Sequence, residues 1–207
     1  MSKDIQIIIL NAPPMSGKDD IAEYLSTEYG AIHLEVKELL FQVAVRAAGV
    51  TRTLWDALYT RDYKEIPTPY LMINGVNVSP RDWMIHCSEH LIKPLFGKDA
   101  FGKAAVQDLI KRDLRPGSVV VFSDGGFVEE LFPLALHAQE NGGELLLARI
   151  ERYGYGWGKD SRSYLSLKDN NVPGFEKDFF NSEGALASCA DEIWNWATEI
   201  HNKEEDE

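Results

Sequence analysis

The sequence predicts a three-layer α/β fold built on a parallel sheet. Three runs, Ile5–Leu10, Val119–Phe122 and Leu145–Ile150, are almost continuously aliphatic, the character of strands buried on both faces of such a sheet. Segments with helical spacing separate them, which is the alternation of βαβ units. The first run also passes directly into a glycine-containing turn and then an amphipathic stretch.

The elements follow in order. Ile5–Leu10 is the first strand, Asn11–Gly17 the loop, and Lys18–Tyr29 a helix closed by Gly30, a residue suited to a C-cap. Ala31–Leu34 reads as a short strand. Val36–Ala48 reads as a helix stopped by Gly49, and Thr51–Tyr63 carries a weaker helical stripe through Leu54, Trp55 and Leu58. Ile66–Val78 holds Pro67, Pro69, Gly75 and several asparagines and reads as loop. Ser79 can N-cap a helix with Pro80 at its first position, running to Leu91 or beyond. Ala100–Arg112 is a further helix and Arg115–Gly117 a turn. The second buried strand, Val119–Phe122, ends in Ser123-Asp124; a helix over Phe127–Gln139 contains Pro133, expected to kink it. After the third strand, Tyr153–Asn171 is rich in Gly, Ser and aromatics and reads as a mobile loop. Ser182–Ala187 and Asp191–Ile200 are expected as a helix and a short strand.

Composition narrows the function. A chain of 207 residues suits one domain, with or without an inserted lobe, and needs no disulfide or metal staple. The two cysteines, Cys87 and Cys189, fit free thiols in a reducing cytosol, so a cytoplasmic location is expected. A formal net charge of −12 argues against a nucleic-acid partner, and no run of apolar residues is long enough to span a membrane. The N-terminus, MSKDIQ, lacks the layout of a signal peptide, and the acidic tail NKEEDE reads as solvated.

The chemistry sits in the loop, APPMSGKDD, which nearly fits the phosphate-binding pattern GxxxxGK[ST]. Such a loop wraps backbone N–H groups around oxyanions at a helix N-terminus. Here the nucleotide-binding stretch is Pro14, Met15, Ser16, Gly17, Lys18, Asp19 and Asp20, with donors from Met15 to Asp19 and Lys18 reaching the outer phosphates. Ala12 replaces the first glycine, which matters only where φ must be positive. Asp19 replaces the Ser or Thr; beside a triphosphate it calls for Mg²⁺, an ion that takes oxygen ligands. Asp124, at the end of the second buried strand, is the second candidate magnesium ligand. The loop, Asp124 and Arg149–Arg152 all fall at carboxyl ends of expected strands, where ligands of such sheets bind.

Several segments together resemble the phage deoxynucleoside monophosphate kinases, relatives of the adenylate kinase group. SGKDD is similar to that family's SGKD; Ser79-Pro-Arg81 to its T-P-R; and Ser88-Glu89 with Gly97 and Asp99 to a Thr-Glu pair and a G-x-D-x-W end, with Phe101 at the Trp position. Asp124, Phe127 and Glu130 match its D-x-R-F-x-x-E, and Ser182, Glu183, Ile193 and Asn195 match motifs near its C-terminus. The resemblance implies a single P-loop NTPase domain over 1–207: a core about 1–34 and 115–207, a helical nucleoside-monophosphate-binding insertion about 35–114 and a lid about 152–180. It implies ATP and Mg²⁺ as cofactors and direct transfer of the γ-phosphate to a (deoxy)nucleoside monophosphate. Lys18, Arg152 and Asp124 would be catalytic, with Arg152 the preferred lid arginine beside Arg149 and Arg162. Arg81, Glu89 and Asp124 would hold the acceptor; Asp19 and Asp124 would hold the metal. Small-molecule nucleotides are the expected partners, and a homodimer is left open.

The chain departs from that pattern. Gly126 stands where the D-x-R-F arginine belongs, and Ile92 lies three residues after Glu89 where another arginine is usual, with Lys93 its basic neighbour. An arginine lost from phosphoryl transfer costs about 10³-fold or more. A degenerate nucleotide-binding relative and a small-molecule kinase of the same fold are therefore the alternatives. His86-Cys-Ser-Glu-His90 also fits the zinc-peptidase pattern H-x-x-E-H, without a third ligand following it. Tyr153, Tyr155 and Trp157 can stack on a base or pin their loop.

Overall fold

A computed structural model describes residues 4–112, 114–158 and 162–204. Residues 1–3 of the N-terminus, 159–161 of the expected lid and 205–207 of the acidic tail lie outside the described residues. The first half of the chain runs β1 (Gln6–Asn11), α1 (Lys18–Tyr29), β2 (Ile32–Leu34), α2 (Glu38–Ala48), α3 (Arg52–Leu58), β3 (Thr68–Ile73), β4 (Val76–Val78) and α4 (Pro80–His86). A π-helical turn, Cys87–Ile92, leads to α5 (Lys93–Phe96) and α6 (Ala100–Lys111). Then come β5 (Val119–Phe122), α7 (Val128–Glu140), β6 (Leu145–Glu151), a 3₁₀ turn at Lys168–Asn170, β7 (Phe175–Phe180) and α8 (Leu186–Glu204). Two compact units result: residues 1–36 with 102–207, and 37–101.

The first unit is a five-stranded sheet in the order β2-β5-β1-β6-β7, parallel at every pairing. β1 is central and all six of its residues are buried. Because side chains alternate across a strand, one face presents Ile8, Leu10, Val121, Leu146 and Ala148 to α1 and α8, through Ile21, Leu25, Ala190 and Ile193. The opposite face, with Ile7, Ile9, Leu145 and Leu147, is covered by α7, whose Leu131, Leu134 and Ala138 are fully buried. The expected three layers are present, and each buried aliphatic side chain contributes about 1.5–3 kcal/mol.

Two expectations fail here for identifiable reasons. β7 is a strand where none was expected, so the stretch assigned to the lid, 152–180, ends inside the core sheet. As the outermost strand it buries only Phe179, and Glu176, Lys177 and Asp178 hide its apolar signal. The C-terminal segment is one 19-residue helix rather than helix plus strand. Its buried stripe, Cys189, Ile193, Trp196 and Ile200, has spacings of four, three and four, a helical period. α7 carries Pro133 in its interior.

The second unit packs α2, α3, α4 and the π-helical turn around Phe41, Ala44, Trp55, Leu71, Met84 and Cys87. Ser79 caps α4 as expected, its Oγ accepting from the Asp82 N–H at 3.1 Å. The stretch read as loop, Ile66–Val78, instead holds an antiparallel hairpin, β3 with β4. Asn74 and Gly75, with φ of 50° and 82°, form the left-handed pair that a two-residue hairpin turn demands. Pro67 and Pro69 masked that signal.

Two outcomes are expected. Replacing Ile8 by Ala should lower stability by about 2–5 kcal/mol, read as a drop in the urea midpoint at unchanged slope. Burial pushes both thiols, Cys87 and Cys189, up to about 11; they should resist alkylation at pH 8 in the native protein and react fully in urea.

Candidate phosphate-binding site

In an open parallel sheet, the crevice for ligands lies where the strand order reverses. Here that point is the carboxyl end of β1, with β5 on one side and β6 on the other. The loop Ala12–Gly17 leaves β1 at this position and feeds α1.

The loop is shaped by left-handed backbone at Met15 (φ 66°) and Gly17 (φ 87°), with the Ser16 N–H closing a turn onto the Pro13 carbonyl at 3.3 Å. A methionine in that conformation costs about 1–2 kcal/mol, strain that surrounding contacts must hold. Ala12 is not in the positive-φ region, so its departure from glycine carries no backbone cost. Gly17 must remain glycine, because a Cβ there would lie 2.6 Å from Asn181 Nδ2.

Two side chains hold the loop from behind. Asn181, buried just after β7, donates from Nδ2 to the Ser16 carbonyl at 2.9 Å. Arg152, just after β6, donates from Nη1 to the Met15 carbonyl at 3.4 Å, and its guanidinium lies 5.0 Å from the Tyr155 ring centre. Both bonds hold the turn through its carbonyl oxygens. Gly17 offers α1 no capping side chain, so the first-turn N–H groups receive no side-chain cap. The Ser16 hydroxyl is fully buried and has no hydrogen-bond partner among the described residues. A positive helix end, a strained turn and an orphaned donor in one place are the features an anion site is built from.

Lys18 opens α1 with a side chain only 16% exposed, its Nζ 4.0 Å from Asp19 Oδ2. Asp19 is 68% exposed, so this contact is a weak surface pair. Asp20 occupies the same first turn. Pro14 and Met15 form the exposed crest of the loop. Asp124 lies past the end of β5, where its Oδ1 accepts the Val36 N–H at 2.7 Å; beside it Ser123 Oγ meets His33 Nε2 at 3.0 Å.

Sequence reasoning missed Asn11 and Asn181. Asn11 ends β1, is buried, and bridges two loops: its Nδ2 donates to the Gly125 carbonyl at 3.3 Å and its Oδ1 accepts the Leu165 N–H at 3.0 Å. A polar residue closing an apolar run was the available signal. Asn181 carried none, because the strand preceding it went unseen.

Other expected residues have different surroundings. Arg149 is engaged by Asp178 and Glu176 across β6 and β7, and donates to the Leu165 carbonyl. The Asp178 carboxylate holds its guanidinium charged, against the cost of partial burial. Trp157 meets Tyr164 edge-on at 5.4 Å, which pins the glycine-rich segment, while Tyr153 is 90% exposed. In the second unit, Arg81 Nη1 donates to Glu65 Oε1 at 3.1 Å. Glu89 lies within the π-helical turn, where hydrogen bonds from Lys93 and Ser88 hold its carboxyl below the usual range. His86 and His90 stack at 4.9 Å, yet no group of three or more metal-ligating side chains exists among the described residues. Nor, among them, is any helix long and apolar enough to cross a membrane.

No family model matches the chain, and no curated protein does. Among solved structures, a gluconokinase from Sinorhizobium meliloti aligns at a TM-score of 0.45 and 12% identity, over 96% of this chain and 97% of that one. Kti12 from Chaetomium thermophilum, in complex with ADP-AlF3, aligns at 0.39 and 15%, over 92% and 98%. Dephospho-CoA kinase from Campylobacter jejuni aligns at 0.43 and 11%, over 95% and 99%.

Asn181→Ala removes the only side-chain bond on the Ser16 carbonyl seen among the described residues. It should cost about 1–3 kcal/mol in chemical denaturation. Asn181→Asp should cost more, because it sets a carboxylate against a carbonyl.

Proposed function

We propose that the chain is a kinase that binds ATP on the Ala12–Asp19 loop and transfers its γ-phosphate to a (deoxy)nucleoside monophosphate. The single observation behind this reading is the strained turn at the carboxyl end of β1, its carbonyls tied back by Asn181 and Arg152 and its amides leading into α1. Lys18 reaches the outer phosphates from the first position of that helix. In the transfer, an oxygen of the acceptor phosphate attacks the γ-phosphorus in line, a P–O bond forms to it, and the bond to ADP breaks.

The oxygen donors at the site suit magnesium carried in with the nucleotide. That ion is usually held by one or two carboxylates plus substrate phosphates rather than by a protein cage. Asp19 and Asp124 are the carboxylates that would serve it. When bound, the ion supplies charge neutralisation on the phosphate oxygens.

Charge distribution favours an anionic acceptor on the second unit. Residues 37–101 hold eight Lys and Arg against seven Asp and Glu, whereas the rest of the chain holds thirteen against twenty-six. Arg81 and Glu89, both in that unit, are the residues we assign to the acceptor. A second reading, a nucleotide-binding protein without transfer, is favoured by Glu65 already occupying Arg81.

A coupled assay over all ribo- and deoxynucleoside monophosphates, with gluconate-type and other small acceptors alongside, decides among these. ADP should form only with a nucleoside monophosphate present, and Lys18→Ala should slow it about a hundredfold or more. ATP binding without turnover on any acceptor would leave the second reading standing instead.

A further inference from the structure

At the amino ends of β1 and β5 the first unit holds a cavity of about 250 Å³. Gln6 opens β1 on the same face as Ile8 and Leu10, the face that packs against α1 and α8, and lines this cavity. Val119, its partner on β5, lines it too. α1 contributes its last residue, Tyr29. α8 contributes Trp194, Ala197 and Thr198, whose spacing sets them on one helix face. A Cβ on Gly30 or Gly117, which also line the cavity, would meet nothing within 4 Å. Gln6 and Asn11 are the two ends of one strand, so the cavity lies about 16 Å from the start of the phosphate loop.

Three properties of the lining define what it can hold. The Tyr29 and Trp194 rings stack at 4.6 Å with their planes 7° apart, a flat aromatic pair. The Tyr29 hydroxyl donates to Asp191 Oδ1 at 2.7 Å, which pushes its pKa up to about 12 and leaves the ring rather than the hydroxyl to meet a ligand. Next, Gln6 is only 2% exposed. Its Oε1 accepts the Glu144 N–H at 3.3 Å, and because that group can only donate, the orientation of the amide is fixed. Gln6 Nε2 is left buried with no hydrogen-bond partner among the described residues. A buried donor without an acceptor is a cost that a ligand acceptor removes. Finally, no Lys, Arg or His among the described residues lines the cavity, while the charges of Asp191 and Glu28 act on Tyr29. A phosphate or carboxylate has no partner there. The volume falls below the roughly 300–1,000 Å³ of drug-sized pockets, which suits one ring or two fused rings.

We propose that this cavity is a second binding site, for a small uncharged heteroaromatic molecule held against the Tyr29–Trp194 pair and accepting a hydrogen bond from Gln6 Nε2 through a ring nitrogen. The site is independent of the nucleotide reading, since none of its residues belongs to the β1 loop. α1 runs between the two, from Lys18 at the phosphate loop to Tyr29 at the cavity, so a ligand here holds the far end of the helix that carries Lys18.

The test is heteronuclear correlation NMR on the labelled full chain, titrated with benzimidazole, indole and benzimidazole carboxylate. Benzimidazole and indole share one two-ring outline, but only benzimidazole carries a ring nitrogen that accepts a hydrogen bond. Benzimidazole should shift the Trp194 indole N–H and the Gln6 side-chain amide saturably, with an affinity about fivefold or more above that of indole, the worth of one hydrogen bond. The carboxylate should bind no better than indole. Gln6→Met removes the donor and should abolish the preference for benzimidazole over indole. Thr198→Phe should fill the space and block benzimidazole. The Thr198 hydroxyl bonds carbonyls of its own helix, at Trp194 and Asn195, so its loss leaves contacts between elements in place. Thermal melts accompany both variants, and Thr198→Phe decides if Gln6→Met melts early. The proposal is overturned by the absence of saturable shifts in the wild-type chain, or by indole or the carboxylate binding as tightly as benzimidazole. An unchanged preference in folded Gln6→Met, or unchanged affinity in folded Thr198→Phe, overturns it equally.

Discussion

The amide of Asn11 is the contact on which the site depends. It stands buried at the end of the central strand and joins the Gly125 turn to the segment around Leu165. An unmade bond at such a place costs the full desolvation of the group. One side chain thus aligns the ends of β1 and β5 and the loop that follows β6, three separate pieces of backbone whose mutual position determines where charges fall. Ile8 and Leu10 fix the strand; Asn11 converts that fixed strand into fixed loops.

The phosphate loop shows the same economy. Asn181 and Arg152 both grip carbonyl oxygens, so the turn is held through groups that a bound oxyanion does not need. The strain at Met15 persists because both grips oppose its release. Charge is arranged around the loop with similar restraint. Arg149, which sequence position alone would also place at the site, is drawn off by Asp178 and Glu176 and serves the β6–β7 edge instead.

What was legible in the sequence followed burial. β1, β5 and β6 lie inside the sheet, and their unbroken aliphatic runs marked them. β7 shows one buried side chain in six, so its sequence carries charge where a strand signal would be. The β3–β4 hairpin was obscured because Pro67 and Pro69 weigh towards loop more heavily than Asn74-Gly75 weighs towards a turn between strands. α8 was divided at Ser188–Ala190, although Cys189 and Ala190 belong to its buried stripe. In the loop, the positions of Gly17 and Lys18 at the start of α1 were readable because they follow from the strand-turn-helix pattern and sequence adjacency. Asn181 was not assigned, and Arg162 was named only among the lid arginines, because their contacts with Ser16 and Gly126 lie 165 and 36 residues away.

The unremarkable look of β7 has a consequence of its own. A sheet of parallel strands ends in two rows of unpaired backbone groups, each able to recruit a stray strand from another molecule. On one flank β2 is only three residues long, too short to template much. On the other, Glu176, Lys177 and Asp178 place alternating charges along the rim, and Arg149 ties two of them down. The residues that disguised this strand from a reader of the sequence are the ones that deter self-association along the sheet, so neutralising them should expose the protein to fibrous growth before it weakens the fold.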